Sequence, residues 1–153
     1  MNHKACATAL AIIALSLTAT AQEKKITQSA LPAPVQKTVQ ANSQGATIKG
    51  YTAETENGKP MYEAEMIVNG HTKDLEIASD GTINAIEEQI AFNSAPNAVQ
   101  AALTKNAAGA KITKVETITK LGKLVAYEAA TLKGTKRGEL QVGPDGSKLD
   151  HEE

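Results

Sequence analysis

Cysteine, histidine and aromatic residues are scarce in this 153-residue chain, which has one Cys, three His, one Phe, three Tyr and no Trp. The single cysteine, Cys6, falls in a segment that we expect to be removed. The mature chain would then have no disulfide, no thiolate nucleophile and no Cys-based zinc site. Its two histidines, His71 and His151, stand in neither a Gly-x-Ser-x-Gly nor a His-Glu-x-x-His context. A small hydrolase is therefore the weakest interpretation, and we predict no catalytic residue, no cofactor and no enzymatic activity.

The first 21 residues have the pattern of a cleavable export signal. A short, weakly basic start is followed by an apolar stretch over 5–18 and by the small residues Ala19-Thr20-Ala21. This stretch is shorter than the roughly 20 apolar residues that a helix needs to span a bilayer. We therefore expect cleavage after Ala21, a periplasmic or secreted location, and no transmembrane segment in the mature chain.

The remaining residues contain one pattern twice. Seven residues of the first half recur at a spacing of 64, and four short motifs follow at a spacing of 65. Matches that keep their order over nearly the whole mature length indicate internal duplication. The residues at the first spacing are Pro32, Val35, Gln36, Asn42, Gly45, Ala46 and Ile48, matched by Pro96, Val99, Gln100, Asn106, Gly109, Ala110 and Ile112. The predicted organisation is a signal peptide (1–21), an N-terminal linker (22–31), a first repeat (32–88), an inter-repeat linker (89–95) and a second repeat (96–153).

Each repeat begins with a proline-started helix that ends near a glycine, Gly45 or Gly109. Strand-like runs follow, joined by Asn-Gly and Asp-Gly turns that are too short for crossover helices, so the sheet should be antiparallel. The sequence thus predicts an α+β fold of two tandem αβββ(β) repeats, each with one helix packed on a small antiparallel sheet. Phe92, the only Phe, is expected to pack at their junction. The predicted runs are 46–56, 61–69 and 72–78, then 110–120, 124–133 and 136–143.

The ordered motifs resemble a known family. Leu31-Pro32, Gly45-Ala46-x-Ile48, Gly58-Lys59, Tyr62-Glu63-Ala64 and Asp80-Gly81 occur in the order seen in PepSY-type domains. More narrowly, the chain is similar to the PepSY-like, β-lactamase-inhibitor-like group of exported bacterial proteins. This resemblance implies a helix on an antiparallel sheet, an extracytoplasmic location and a non-catalytic role. Related domains occur in the propeptides of thermolysin-type metallopeptidases, where an inhibitory role is attributed to them.

Charge is balanced in total but divided unequally between the halves. Residues 32–88 contain four Lys and nine acids, whereas residues 96–153 contain nine Lys or Arg and seven acids. Besides serving solubility, the two halves could attract each other, could pair head to tail in an oligomer, or could present the basic part to an acidic partner or anionic surface. Nucleic acid is a poor candidate because Tyr127 is the only aromatic residue between Lys105 and Arg137.

The leading functional hypothesis is a non-enzymatic exported module that binds an unknown exported protein or peptide, with a protease-regulating, inhibitor-like role as its narrower form. A free sheet edge would allow a partner to add a strand. Lys133, Lys136 and Arg137 stand on the last predicted hairpin and would select an acidic sequence there.

The alternative hypothesis is an extracytoplasmic sensor or buffer for a divalent cation. If residues 57–60 form a four-residue hairpin loop, Glu54 faces Glu63, and Glu56 and Glu65 are close neighbours. Four carboxylates within reach of one another could hold a hard cation such as Ca²⁺, which prefers oxygen ligands.

Overall fold

Eight antiparallel strands lie side by side in the order in which they occur in the chain. The structure, a computed structural model, describes residues 23–56, 58–151 and 153. It confirms the α+β class, and within these ranges no helix is long and apolar enough to cross a membrane. The strands are β1 (Lys24–Ile26), β2 (Thr47–Glu56), β3 (Lys59–Val68), β4 (His71–Ala78), β5 (Ile83–Ile90), β6 (Lys111–Lys120), β7 (Lys123–Lys133) and β8 (Lys136–Val142). The helices are α1 (Ala33–Asn42) and α2 (Asn97–Asn106).

Both α-helices pack on the same face of the sheet. Val35 and Val39 of α1 are buried against β3 and β4, and Val99 and Leu103 of α2 are buried against β7 and β8. Side chains alternate between faces along a strand, so the pairings place the apolar residues beneath both helices on one side. Neither α1 nor α2 covers the other side of the sheet, which we call the open face.

The segments that the sequence analysis treats as linkers belong to the fold instead. Within 22–31, β1 pairs with β2 and is followed by a short 3₁₀ helix, Gln28–Ala30. Within 89–95, the end of β5 is followed by a second 3₁₀ helix, Phe92–Ser94. β5 pairs with β6 and so joins the two halves into one sheet. The apolar alternation does not reveal β5, because Glu87-Glu88-Gln89 puts a polar side chain on both faces in succession.

Leu121 occupies an unfavourable position in the β6–β7 hairpin. It is 76% exposed and has φ 48°, and Gly122 after it has φ 78°. Two-residue hairpins with positive φ at both positions favour Asn-Gly, the dipeptide at 57–58 in the first half. Leucine in this conformation crowds its Cβ against the backbone, whereas asparagine tolerates it.

We therefore predict that Leu121→Asn raises the free energy of unfolding by about 1 kcal/mol, measured by urea denaturation. Leu121→Ala is the control, because alanine removes the exposed apolar side chain but keeps the backbone strain. An equal gain from both substitutions would show that relief of backbone strain is not the cause.

Candidate functional site

The open face contains a cavity of about 280 Å³, and the described residues that border it include nine carboxylates and a single lysine, Lys114. The acidic residues come from the segment before β1 and from the seven strands β2 to β8, so no short stretch of sequence contains the site. They are Glu23, Glu54, Glu63, Asp74, Glu76, Glu87, Glu116, Glu128 and Glu139. We call this set the acidic cavity.

Strand register brings these carboxylates directly opposite one another. Glu63 of β3 pairs with Glu76 of β4, and Asp74 of β4 pairs with Glu87 of β5. Further along the sheet, Glu116 of β6 pairs with Glu128 of β7. Like charges at directly opposed positions destabilise a sheet. The fold therefore maintains an electrostatic cost along its open face.

Glu116 is the most deeply buried of these carboxylates, with 1% of its surface exposed. The Lys114 ammonium lies 2.6 Å from Glu116 Oε2, and Thr72 Oγ1 donates a hydrogen bond of 2.7 Å to Oε1. Burial by itself lowers the pKa of Lys114, but the hydrogen bond and charge of Glu116 outweigh it and raise that pKa above its usual value. The one cation of the cavity is thus committed to one carboxylate.

Five carboxylates of the cavity have raised pKa values. Burial is the main cause for Glu63 and Glu87, whose pKa values rise to about 7, and for Asp74, whose pKa rises to about 6. Burial likewise raises the pKa values of Glu54 and Glu128. Neighbouring carboxylates add to each shift. Buried apolar residues stand beside them on the same face and limit their hydration: Met61 and Ala85 line the cavity, Ile118 pairs with Glu87, and Ala126 pairs with Ile118.

The predicted cluster of Glu54, Glu56, Glu63 and Glu65 is not formed as the sequence analysis describes it. Only residues 57–58 separate β2 from β3, because Lys59 and Pro60 belong to β3. The register therefore puts Glu54 opposite Met61, Glu56 opposite Lys59, Glu63 opposite Thr52 and Glu65 opposite Gly50.

Two members of that set, Glu54 and Glu63, do border the acidic cavity, and Thr52 Oγ1 donates a 3.1 Å hydrogen bond to Glu63. Glu56 lies at the exposed end of β2, away from Glu65. Across the described ranges, no three Asp, Glu, His or Cys side chains come together in a way that could hold a metal ion.

The predicted binding residues Lys133, Lys136 and Arg137 lie on the β7–β8 hairpin, far from the centre of the acidic cavity in strand order. All three are exposed, and β8 is the last strand of the sheet. Lys133 Nζ donates a 3.3 Å hydrogen bond to the carbonyl oxygen of Ala108, beyond the end of α2. The edge position fits strand addition, and the role of these cations in binding stays a prediction.

Asp74, Glu87, Glu116 and Glu128 were not predicted as members of a site. Each lies on a different strand, and only the register shows that they share a face. A signal was nevertheless present, because Glu63 and Glu128 are equivalent positions of the Tyr-Glu-Ala motif at the spacing of 65.

Comparison with known proteins supports the fold. No protein-family model matches the chain, and no curated protein is similar to it in sequence. A BLIP-like protein from Bacteroides fragilis is 18% identical, with a TM-score of 0.55 over 78% of this chain and 83% of that one. A Bacteroides eggerthii protein described as periplasmic is 15% identical, with a TM-score of 0.62 over 78% and 86%. A DUF2874 family protein from Bacteroides ovatus is 17% identical, with a TM-score of 0.59 over 78% and 85%. The chain thus has a BLIP-like fold.

Proposed function

We propose that this chain is a non-enzymatic exported module that binds a protein partner on its open face, and that the partner inserts a basic segment into the acidic cavity. The observation that carries the proposal is the acidic sheet face that neither α1 nor α2 covers. Both helices pack on the other side, and the open face concentrates nine carboxylates around one committed lysine.

The electrostatics of the cavity favour a cationic partner. Glu63, Asp74 and Glu87 are partly desolvated, and nearby carboxylates further raise the cost of ionising each of them. A lysine or arginine side chain placed among them would relieve that repulsion and gain charge-assisted hydrogen bonds. Binding would then be fast and sensitive to salt, as is usual for complementary charged surfaces.

The similar structures support the exported and inhibitor-like parts of this proposal. One is described as BLIP-like and another as periplasmic. The export signal proposed for residues 1–21 lies outside the described residues. A regulatory role toward a protease or another enzyme is the narrower form of the proposal, with the partner enzyme supplying the basic segment.

The acidic cavity can be tested with a blocked tetralysine peptide in a calorimetric titration at low salt. We predict that the double variant Glu63→Gln/Glu87→Gln binds this peptide about tenfold more weakly, because it loses two central carboxylates while keeping the side-chain volumes. The matched control is Glu56→Gln/Asp150→Asn, which removes two exposed acids outside the cavity. An equal loss in both variants would show that only net charge attracts the peptide and would refute a built site.

A cation sensor or buffer remains the alternative function, and it has less support. The register separates Glu56 from Glu65, and Glu54 lies opposite Met61 instead of Glu63. Titration with millimolar Ca²⁺ in the same calorimeter distinguishes the two proposals. The cation would be favoured by two results together: the unsubstituted protein binds Ca²⁺ but not tetralysine, and the heat of Ca²⁺ binding disappears in Glu54→Gln/Glu63→Gln.

We further propose that the two halves are tandem copies of one PepSY-like unit. Three structural details support this at the spacings found in the sequence. Gln36 and Gln100 each donate a side-chain hydrogen bond to a carbonyl five residues earlier, at 2.8 and 2.7 Å. Gly81 and Gly146 both lie against the first turn of the helix in their own half. The register of β2–β3 and that of β6–β7 shift at equivalent places, near residues 49 and 113.

A further inference from the structure

A shallow, mainly apolar hollow lies beside the C-terminal end of α2, separate from the acidic cavity. Its volume is about 460 Å³. Phe92, which the sequence led us to expect at the junction of the halves, lines this hollow and is 36% exposed. The other lining residues are Thr104, Ala107, Gly109, Ala110 and Ile112. We call this surface the Phe92 hollow.

The first half has a hollow at the equivalent place, but with a different chemistry. Its lining includes Gln28, Gln40 and Ser43, which stand 64 residues before Phe92, Thr104 and Ala107. At each of these three positions the second half has the less polar side chain. Ile48 and Ile112 also stand 64 residues apart, and each lines the hollow of its own half. The two hollows therefore occupy the same place in the two halves but differ in the polarity of their lining.

The chain segment that builds the Phe92 hollow contains lysines but no acidic residue. Residues 89–115, which build it, include Lys105, Lys111 and Lys114 but no Asp or Glu. Lys114 is held by Glu116 on the open face. Lys133 of β7 donates a hydrogen bond from its ammonium to the carbonyl oxygen of Ala108. The residues on either side of Ala108, Ala107 and Gly109, line the hollow.

We propose that the Phe92 hollow is a second binding site, distinct from the acidic cavity, that takes an apolar side chain from an acidic peptide segment of a partner protein. The concave apolar lining accepts a side chain, and Lys133, whose ammonium lies at the Ala108 carbonyl beside the hollow, complements a carboxylate next to that side chain. A free small molecule would stay largely exposed in so shallow a surface, whereas binding pockets bury most of their ligand. A concave surface can accept an apolar side chain, whereas anchoring to a membrane would require an apolar side chain that projects from the surface.

The test uses ¹⁵N-labelled protein and a blocked pentapeptide with a central leucine flanked by two aspartates and two glutamates. We expect amide shifts confined to Phe92, Ala107, Ala110, Ile112 and their neighbours. Phe92→Gln should weaken binding about tenfold, because it removes the apolar wall and installs the residue of the first half. Gln28→Ala, at the equivalent place in the first half, should leave the affinity unchanged.

Three further arms distinguish a built apolar site from general charge attraction. A peptide with alanine in place of leucine should bind about tenfold more weakly, and one with lysines in place of the acids should give no shifts at the hollow. Glu63→Gln/Glu87→Gln should leave binding intact, so failure of this site and failure of the acidic cavity are distinguishable. The proposal would be overturned if the peptide caused no amide shifts or caused them away from the hollow. It would also be overturned if the protein bound vesicles of anionic lipid but not the peptide.

Discussion

Gly146→Ala is expected to lower the free energy of unfolding by about 3 kcal/mol, the largest single effect that we predict for a one-carbon change. A Cβ at this position would lie 2.6 Å from the carbonyl oxygen of Ala98 and 2.8 Å from its carbonyl carbon. Both atoms belong to the backbone of α2, so neither can move without displacing the helix. Gly146 also has φ 82°, which strains any residue with a Cβ.

Gly109→Ala is the matched control for this prediction. Gly109 has nearly the same φ, 83°, but a Cβ there would meet nothing within 4 Å. It should therefore lose only the conformational part, about 1 kcal/mol. Urea denaturation of both variants measures the difference, which isolates the contact between the loop after β8 and α2. Equal losses in the two variants would show that this contact does not hold the helix in place.

The Asp-Gly motifs illustrate what the sequence could and could not predict. Their composition identifies a turn, and the turn is formed, with Asp145 accepting a 2.9 Å hydrogen bond from the backbone N–H of Ser147. Asp80 makes the same bond to Thr82. These glycines must also lie close to a helix that begins almost 50 residues earlier in the chain. This requirement depends on tertiary packing, so the neighbouring sequence does not reveal it.

The same distinction explains the outcome at the functional site. Helix and strand positions follow from proline, glycine and apolar alternation, which act over a few residues. The acidic cavity depends on which strand residues oppose one another, and a loop two residues shorter than expected moves every pair in the β2–β3 hairpin. Glu63 could be singled out as a candidate from its own hairpin, while Glu76, which lies opposite it on the next strand, could not.

Acidification from about pH 8 to about pH 5 is expected to stabilise the fold. Burial raises the pKa values of Glu63 and Glu87 to about 7 and that of Asp74 to about 6 in the folded protein. The folded state therefore binds more protons than the unfolded state between the ordinary carboxyl pKa values and about pH 7. The resulting stabilisation is fully present below the unfolded pKa values and is lost as the pH rises through the folded ones.

We expect a gain of about 2 kcal/mol in the free energy of unfolding at the acidic end of this range. The full pKa shifts would imply more, but these carboxylates are partly exposed and solvent screens their interactions. Urea denaturation at several pH values measures the gain. The range should end above about pH 4, since Asp80 and Asp145 have lowered pKa values and act in the opposite direction when they are protonated.

The double variant Glu63→Gln/Glu87→Gln connects this pH dependence to the proposed binding site. It should be more stable than the unsubstituted protein at pH 8 and should lose most of the change with pH, because glutamine cannot ionise. Glu56→Gln/Asp150→Asn should retain the full change. A basic segment in the cavity would lower the same pKa values, so tetralysine should stabilise the unsubstituted protein more at pH 8 than at pH 5. Stability that instead increases from pH 5 to pH 8 would mean that these carboxylates are already compensated in the folded protein, and the case for a cationic partner would fail with it.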